Sequence, residues 1–116
     1  MLFVTYPKCT TCRRAKAYLE TKGVAFTERN IKEENPTAEE IRAWYPKSGK
    51  DLNRFFNTSG MIYRAEGLKD KLPQLDEDEK LALLAANGML VKRPILVTDT
   101  KVLVGFKESE WDEVLS

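Results

Sequence analysis

Apolar positions along the chain alternate between strand-like runs and helical spacing. Leu2-Phe3-Val4 is a short apolar run broken by Pro7, as expected of a buried strand, and from Cys12 the residues Cys12, Ala15 and Leu19 follow helical spacing. Gly23, following Lys22, is placed as the C-terminal stop of that helix. The stretch from Ala25 to Ile31 alternates again, carries Phe26, Thr27 and Ile31, and predicts a second strand. Strand, helix and strand in this order make a βαβ unit with parallel strands and a right-handed crossover.

From about residue 32 to residue 91 the pattern is helical. Thr37 and Glu40, after Pro36, form a capping box; Ile41, Trp44 and Tyr45 share one face as core, and Pro46 reads as the stop. Residues 51–56 predict a short helix packing Leu52, Phe55 and Phe56. The polar break Asn57-Thr58-Ser59-Gly60 can hold an anion through hydroxyls and backbone amides or simply cap the next helix; we take it as a cap. Leu72-Pro73-Gln74-Leu75 leads to a helix capped by Asp76 with Glu79, burying Leu81, Leu84 and Ala85 and ended by Asn87-Gly88. The β pattern returns in Pro94 to Thr98 and Lys101 to Val104, joined by Asp99-Thr100 into an antiparallel hairpin. A closing helix from Lys107, capped by Ser109 with Asp112, buries Trp111, Val114 and Leu115. The order predicts an α/β fold: a four-stranded mixed sheet with helices on both sides, the helical insert (about 32–91) lying between a βαβ and a ββα half. No repeat or linker divides it, so residues 1–116 are read as one domain.

Composition narrows the function. A length of 116 residues is enough for a core without staples, and a net charge of +1 gives no global bias toward nucleic acid or an anionic membrane. No apolar run approaches the ~20 residues of a membrane span, and the N-terminus lacks the regions of a signal peptide, so a cytoplasmic protein is expected. The chain has no histidine, which removes Ser-His-Asp and Cys-His catalysis. With two cysteines and no histidine, a four-ligand zinc site is out of reach of one chain, and no metal is expected.

Both cysteines lie in one motif, Tyr6-Pro7-Lys8-Cys9-Thr10-Thr11-Cys12-Arg13-Arg14-Ala15-Lys16, where the first strand hands over to the first helix. Cys9 falls at or just before the helix N-terminus, where unpaired backbone N–H groups and the helix dipole favour a thiolate over a thiol. Lys8, Arg13, Arg14 and Lys16 add positive charge, and no acid precedes Glu20. Cys9 is therefore the expected nucleophile and Cys12, one turn into the helix, the resolving thiol. A structural disulfide closing so short a loop would constrain little, and two small buried apolar residues are the bland alternative. Spacing and strand-to-helix context favour redox-active thiols.

The ordered set of motifs resembles the ArsC/Spx family of thioredoxin-fold proteins over essentially the whole chain. The pieces are the cysteine motif, Arg29-Asn30-Ile31, Phe55-Phe56-Asn57-Thr58-Ser59-Gly60, Tyr63-Arg64 followed by Gly67-Leu68, and Lys92-Arg93-Pro94-Ile95-Leu96-Val97. The resemblance implies a nucleophilic role for Cys9, and substrate contacts from Thr10, Thr11, Asn57 and Arg93. It also implies a cis Pro94 that turns Arg93 toward the cysteines. It implies no bound cofactor but an external thiol reductant, a thioredoxin or a glutathione/glutaredoxin system. Family reductases hold their oxyanion with three arginines. Here Asn57 stands at the first position and Gly105 near the third, while Cys12 replaces a serine. The expectation is an arsenate reductase-like thiol–disulfide oxidoreductase, with a Spx-like redox regulator that binds the RNA polymerase α subunit as the alternative.

Overall fold

The computed structural model describes residues 1–115. Its elements are β1 (Leu2–Thr5), α1 (Thr10–Lys22), β2 (Thr27–Asn30), α2 (Ala38–Ser48), α3 (Met61–Ala65), α4 (Leu68–Lys71), α5 (Glu77–Ala86), β3 (Ile95–Val97), β4 (Val102–Val104) and α6 (Glu108–Leu115). Short 3-10 turns cover Leu52–Phe55, Leu72–Gln74 and Gly88–Leu90. The strand order is β2-β1-β3-β4, with β1 parallel to β2 and the other pairs antiparallel, which is the expected mixed sheet.

Successive side chains of a strand point to opposite faces, so β1 supplies both cores. Val4 joins Ile31, Ile41, Phe55, Phe56, Leu84 and Ile95 on the side of the insert. Phe3 joins Ala15, Leu19, Leu96 and Trp111 beneath α1 and α6. On that second face Trp111 is fully buried, meets Phe3, Tyr18 and Phe106 edge-on, and donates its ring N–H to the Gly105 carbonyl at 3.1 Å. Strand 2 is shorter than its alternation suggested, but Thr27 and Ile31 still donate to the carbonyls of Met1 and Thr5.

One helix end and one helix start differ from expectation, and a second end falls where expected by another device. Helix α2 runs through Pro46 to Ser48, because a proline in the last turn removes a single hydrogen bond to the carbonyl of exposed Arg42, and left-handed Gly49 (φ 68°) makes the stop. Helix α5 does end at Asn87, but without a left-handed cap: the Asn35 side-chain amide reaches across the fold and donates to the Leu84 and Ala85 carbonyls. Helix α6 begins at Glu108, with the Lys107 carbonyl accepting from Glu110 and Trp111, which puts Ser109 inside the first turn rather than at the cap. Its burial is concentrated in Trp111, while Val114 and Leu115 are half-buried; Ala85 of α5 is also only half-buried. Both expected capping boxes, Thr37 with Glu40 and Asp76 with Glu79, are present. Glu40 is held down to about 2, well below the usual carboxylate range, chiefly by its bidentate pairing with Arg29 at 2.6 and 2.8 Å.

Gly88 is buried where the insert meets the end of β2, and a Cβ there would stand 2.3 Å from the Ile31 carbonyl oxygen and 2.9 Å from Asn35 Oδ1. Backbone must shift to admit it, so Gly88→Ala is expected to cost about 1–3 kcal/mol, the range for overpacking. A urea unfolding curve measures it; a change below about 0.5 kcal/mol would contradict the close approach.

Candidate active site

Beyond Thr5 the chain turns before α1, and the Tyr6 carbonyl accepts the Cys9 N–H at 3.0 Å. Cys9 is the N-cap of α1, extended at φ −90° and ψ 118°, and its Sγ accepts the Cys12 N–H at 3.3 Å. The sulfur thus occupies the place of a capping Ser or Asp oxygen, facing a backbone donor that the helix itself leaves unpaired. Its residue is half-exposed, Cys12 lies buried one turn below, and both are free thiols.

Burial pushes the Cys12 thiol up to about 11, and the hydrogen bond to Cys9 adds to this; the Thr5 side chain and the Tyr6 backbone oppose it. A raised folded-state value means that the thiol form stabilises the fold in full below the unfolded value of about 8.5, and this stabilisation is lost as pH rises through about 11. The urea midpoint of the protein is accordingly expected to fall between about pH 9 and pH 11, and to fall less in Cys12→Ala. Equal slopes in the two proteins would rule out the buried thiol as a source of alkaline sensitivity.

The first turn of α1 contains no acidic residue, and Thr10 and Thr11 open it with Thr10 exposed. Lys16 is paired with Glu28 at 2.8 Å and Arg14 lies over the Phe106 ring at 5.7 Å. The Arg93–Pro94 peptide is cis, and the Pro94 carbonyl accepts the Gly105 N–H at 2.8 Å, joining the start of β3 to the end of β4.

Arg93 comes to the cysteine loop by a different contact from the one expected. Its guanidinium lies 5.3 Å from the Tyr6 ring, and Nη1 donates to the carbonyls of Val91 (3.3 Å) and Met89 (3.5 Å). Its hydrogen-bond partners among the described residues are carbonyls, not a sulfur, and its Nε is buried with no partner.

The segment 57–60 turns and caps α3 as expected, but through Gly60 and the backbone rather than a polar side chain. The Asn57 carbonyl accepts the Gly60 N–H at 3.2 Å, while the cap of α3 is Gly60 with no side-chain hydrogen bond. The Asn57 N–H donates to the Leu90 carbonyl at 2.7 Å, in a short antiparallel stitch with the Phe56–Val91 bridge. Asn57 is thereby fixed beside the segment that leads to Arg93.

Sequence reasoning gave no role to Thr5 and Tyr6. Thr5 is the polar residue that ends an apolar strand and stays buried, a signal of a role, and its side chain restrains the rise of the Cys12 thiol. Tyr6 supplies the carbonyl for Cys9 and the ring for Arg93.

A parallel–antiparallel four-stranded sheet with a cysteine pair at the β1–α1 junction and a cis-proline opening β3 defines a thioredoxin-like α/β protein. The family model of the ArsC family matches residues 4–114, and the chain belongs to that family. It is 53% identical over 113 residues to the uncharacterized protein YusI of Bacillus subtilis, covering 97% of this chain and 96% of that one. The crystal structure of an ArsC-family-related protein from Bacteroides fragilis superposes with a TM-score of 0.96 at 50% identity, covering 99% and 96% of the two chains. The global transcriptional regulator Spx of Staphylococcus epidermidis is 33% identical over 107 residues, covering 91% of this chain and 79% of Spx.

Proposed function

We propose that the protein is a small thiol–disulfide oxidoreductase of the arsenate reductase-like branch, in which Cys9 attacks and Cys12 resolves. The observation that carries this is the capping geometry: the sulfur of half-exposed Cys9 faces the Cys12 N–H at 3.3 Å, with the second thiol buried one turn below.

The Cys9 thiolate attacks one sulfur of a substrate disulfide, the substrate S–S bond breaks, and the departing thiolate takes a proton from solvent. The Cys12 thiol then gives up its proton and attacks the Cys9 sulfur, which expels the second substrate thiol and leaves Cys9–Cys12 as a disulfide. Two electrons pass from the dithiol to the substrate. A thioredoxin or glutaredoxin system, spending an external thiol pair, returns them. Arg93, whose guanidinium lies against the Tyr6 ring of the cysteine loop, is the cation that the family resemblance assigns to an anionic substrate group.

Arsenate is a poor fit to the same site. The resemblance puts Asn57 and Gly105 where reductases carry arginines; two lost charge-assisted hydrogen bonds at about 1.5 kcal/mol each amount to roughly a hundredfold. NADPH-coupled assays with hydroxyethyl disulfide and with arsenate, each run with thioredoxin and with glutathione–glutaredoxin recycling, test the reading. Disulfide turnover well above arsenate turnover is expected, and absence of both would reject it. Identity to Spx supports a second reading, a redox sensor whose Cys9–Cys12 disulfide alters a partner surface. Binding of purified RNA polymerase α subunit by the oxidised form alone, without turnover, would select it.

A further inference from the structure

A second polar site lies where residues 55–57 are stitched to the segment before Pro94. Lys92 N–H donates to the Phe55 carbonyl at 2.7 Å and Asn57 N–H to Leu90, and the joint leaves a cavity of about 110 Å³. Lys50, Arg54 and Lys92 line it together with Asn53 and Thr58 and the apolar Phe56 and Val104. Three cations share this cavity although the chain's net charge is only +1. One of them is partly neutralised: Lys50 meets Glu110 at 3.3 Å, and among the described residues no carboxylate lies within ion-pair distance of Arg54 or Lys92.

The backbone makes room for this arrangement. Gly105, at φ 73°, closes β4 beside Lys92, and a Cβ there would come within 3.1 Å of Lys92 Cε. The missing side chain leaves room for the lysine stem beside the strand end. Lys92 and Arg93 are neighbours with separate surroundings, since Lys92 lines this cavity while Arg93 lies against Tyr6. The volume is well below the roughly 300–1,000 Å³ of a drug-sized ligand pocket, yet several times the 10–15 Å³ that one water needs. Unneutralised like charges around so small a space repel one another, and an anion removes that repulsion.

We propose that Lys50, Arg54 and Lys92 form a binding site for a tetrahedral phosphate-type anion, distinct from the cysteine centre, with Asn53 and Thr58 completing its hydrogen bonds. The anion is either free inorganic phosphate or the phosphoryl end of a small organic phosphate. The site does not depend on the thiol chemistry being as proposed above.

Amide and side-chain NMR shifts, followed while inorganic phosphate or glycerol 3-phosphate replaces chloride at constant ionic strength, test it. Saturable shifts confined to residues 50–58, 92 and 105 are expected, and Arg54→Gln and Lys92→Gln should each weaken the binding by about tenfold. Glu110→Gln, which frees Lys50, should tighten it. Tighter binding of inorganic phosphate identifies the free ion as occupant; tighter binding of glycerol 3-phosphate identifies an organic phosphate. Shifts no different from those in chloride, spread evenly over surface lysines, or unchanged in both Gln variants would overturn the proposal. The variants' own spectra report whether they fold.

Discussion

Cys12→Ser protein mixed with hydroxyethyl disulfide is expected to stop as a mixed disulfide on Cys9, visible as a single adduct by intact mass and located by peptide mapping. Cys9→Ser should form no adduct at an appreciable rate, and its turnover should drop to the background of thiol exchange with the reductant. The asymmetry follows from position on the helix. Cys9 is half-exposed at the N-cap with its sulfur facing a backbone donor, whereas Cys12 is buried and its thiol is raised to about 11. At neutral pH Cys12 holds its proton and is shielded from solutes, and it becomes competent only when the bond to be broken is already on Cys9. Adduct on Cys12 in the Cys9→Ser protein, formed as fast as adduct on Cys9 in the other variant, would mean that the two sulfurs do not have separate roles.

The second large effect is on stability. Trp111→Ala is expected to lower the unfolding free energy by about 3–5 kcal/mol, a large share of the roughly 5–15 kcal/mol available to a typical domain. Trp111 is fully buried, packs edge-on against Phe3, Tyr18 and Phe106, and ties α6 to the end of β4 through the Gly105 carbonyl. Its removal opens a cavity and leaves that carbonyl without its donor. Trp111→Phe should keep part of the packing and lose less. Urea unfolding followed by circular dichroism measures both; a loss under about 1 kcal/mol for the alanine variant would show that α6 contributes little to the face it covers.

The sheet and the position of the cysteines could be read from the sequence because they rest on local signals. The apolar run Leu2-Phe3-Val4, the spacing of Cys12, Ala15 and Leu19, and the Asp99-Thr100 turn each act within a few residues. Element ends were read less well, since distant groups decide them. Asn35 satisfies carbonyls some fifty positions away in α5, and Pro46 is tolerated because Gly49 ends α2 three residues later. The same holds at the site. Cys9 as N-cap follows from its place between strand and helix, whereas the stacking of Arg93 on Tyr6 depends on two segments that meet only in the folded sheet. The break 57–60 read as a cap and Gly60 is one, whereas the stitch of Asn57 to Leu90 had no local signal. The grouping of Lys50, Arg54 and Lys92 had no sequence signal at all, since these residues are spread over more than forty positions.

The most direct test of the central claim is a competition at pH 7 between the two sulfurs of the reduced wild-type protein for a single equivalent of iodoacetamide, with the label located by peptide mass spectrometry. The capping geometry predicts that Cys9 is carboxamidomethylated and Cys12 is not. Label divided equally, or found first on Cys12, would contradict it.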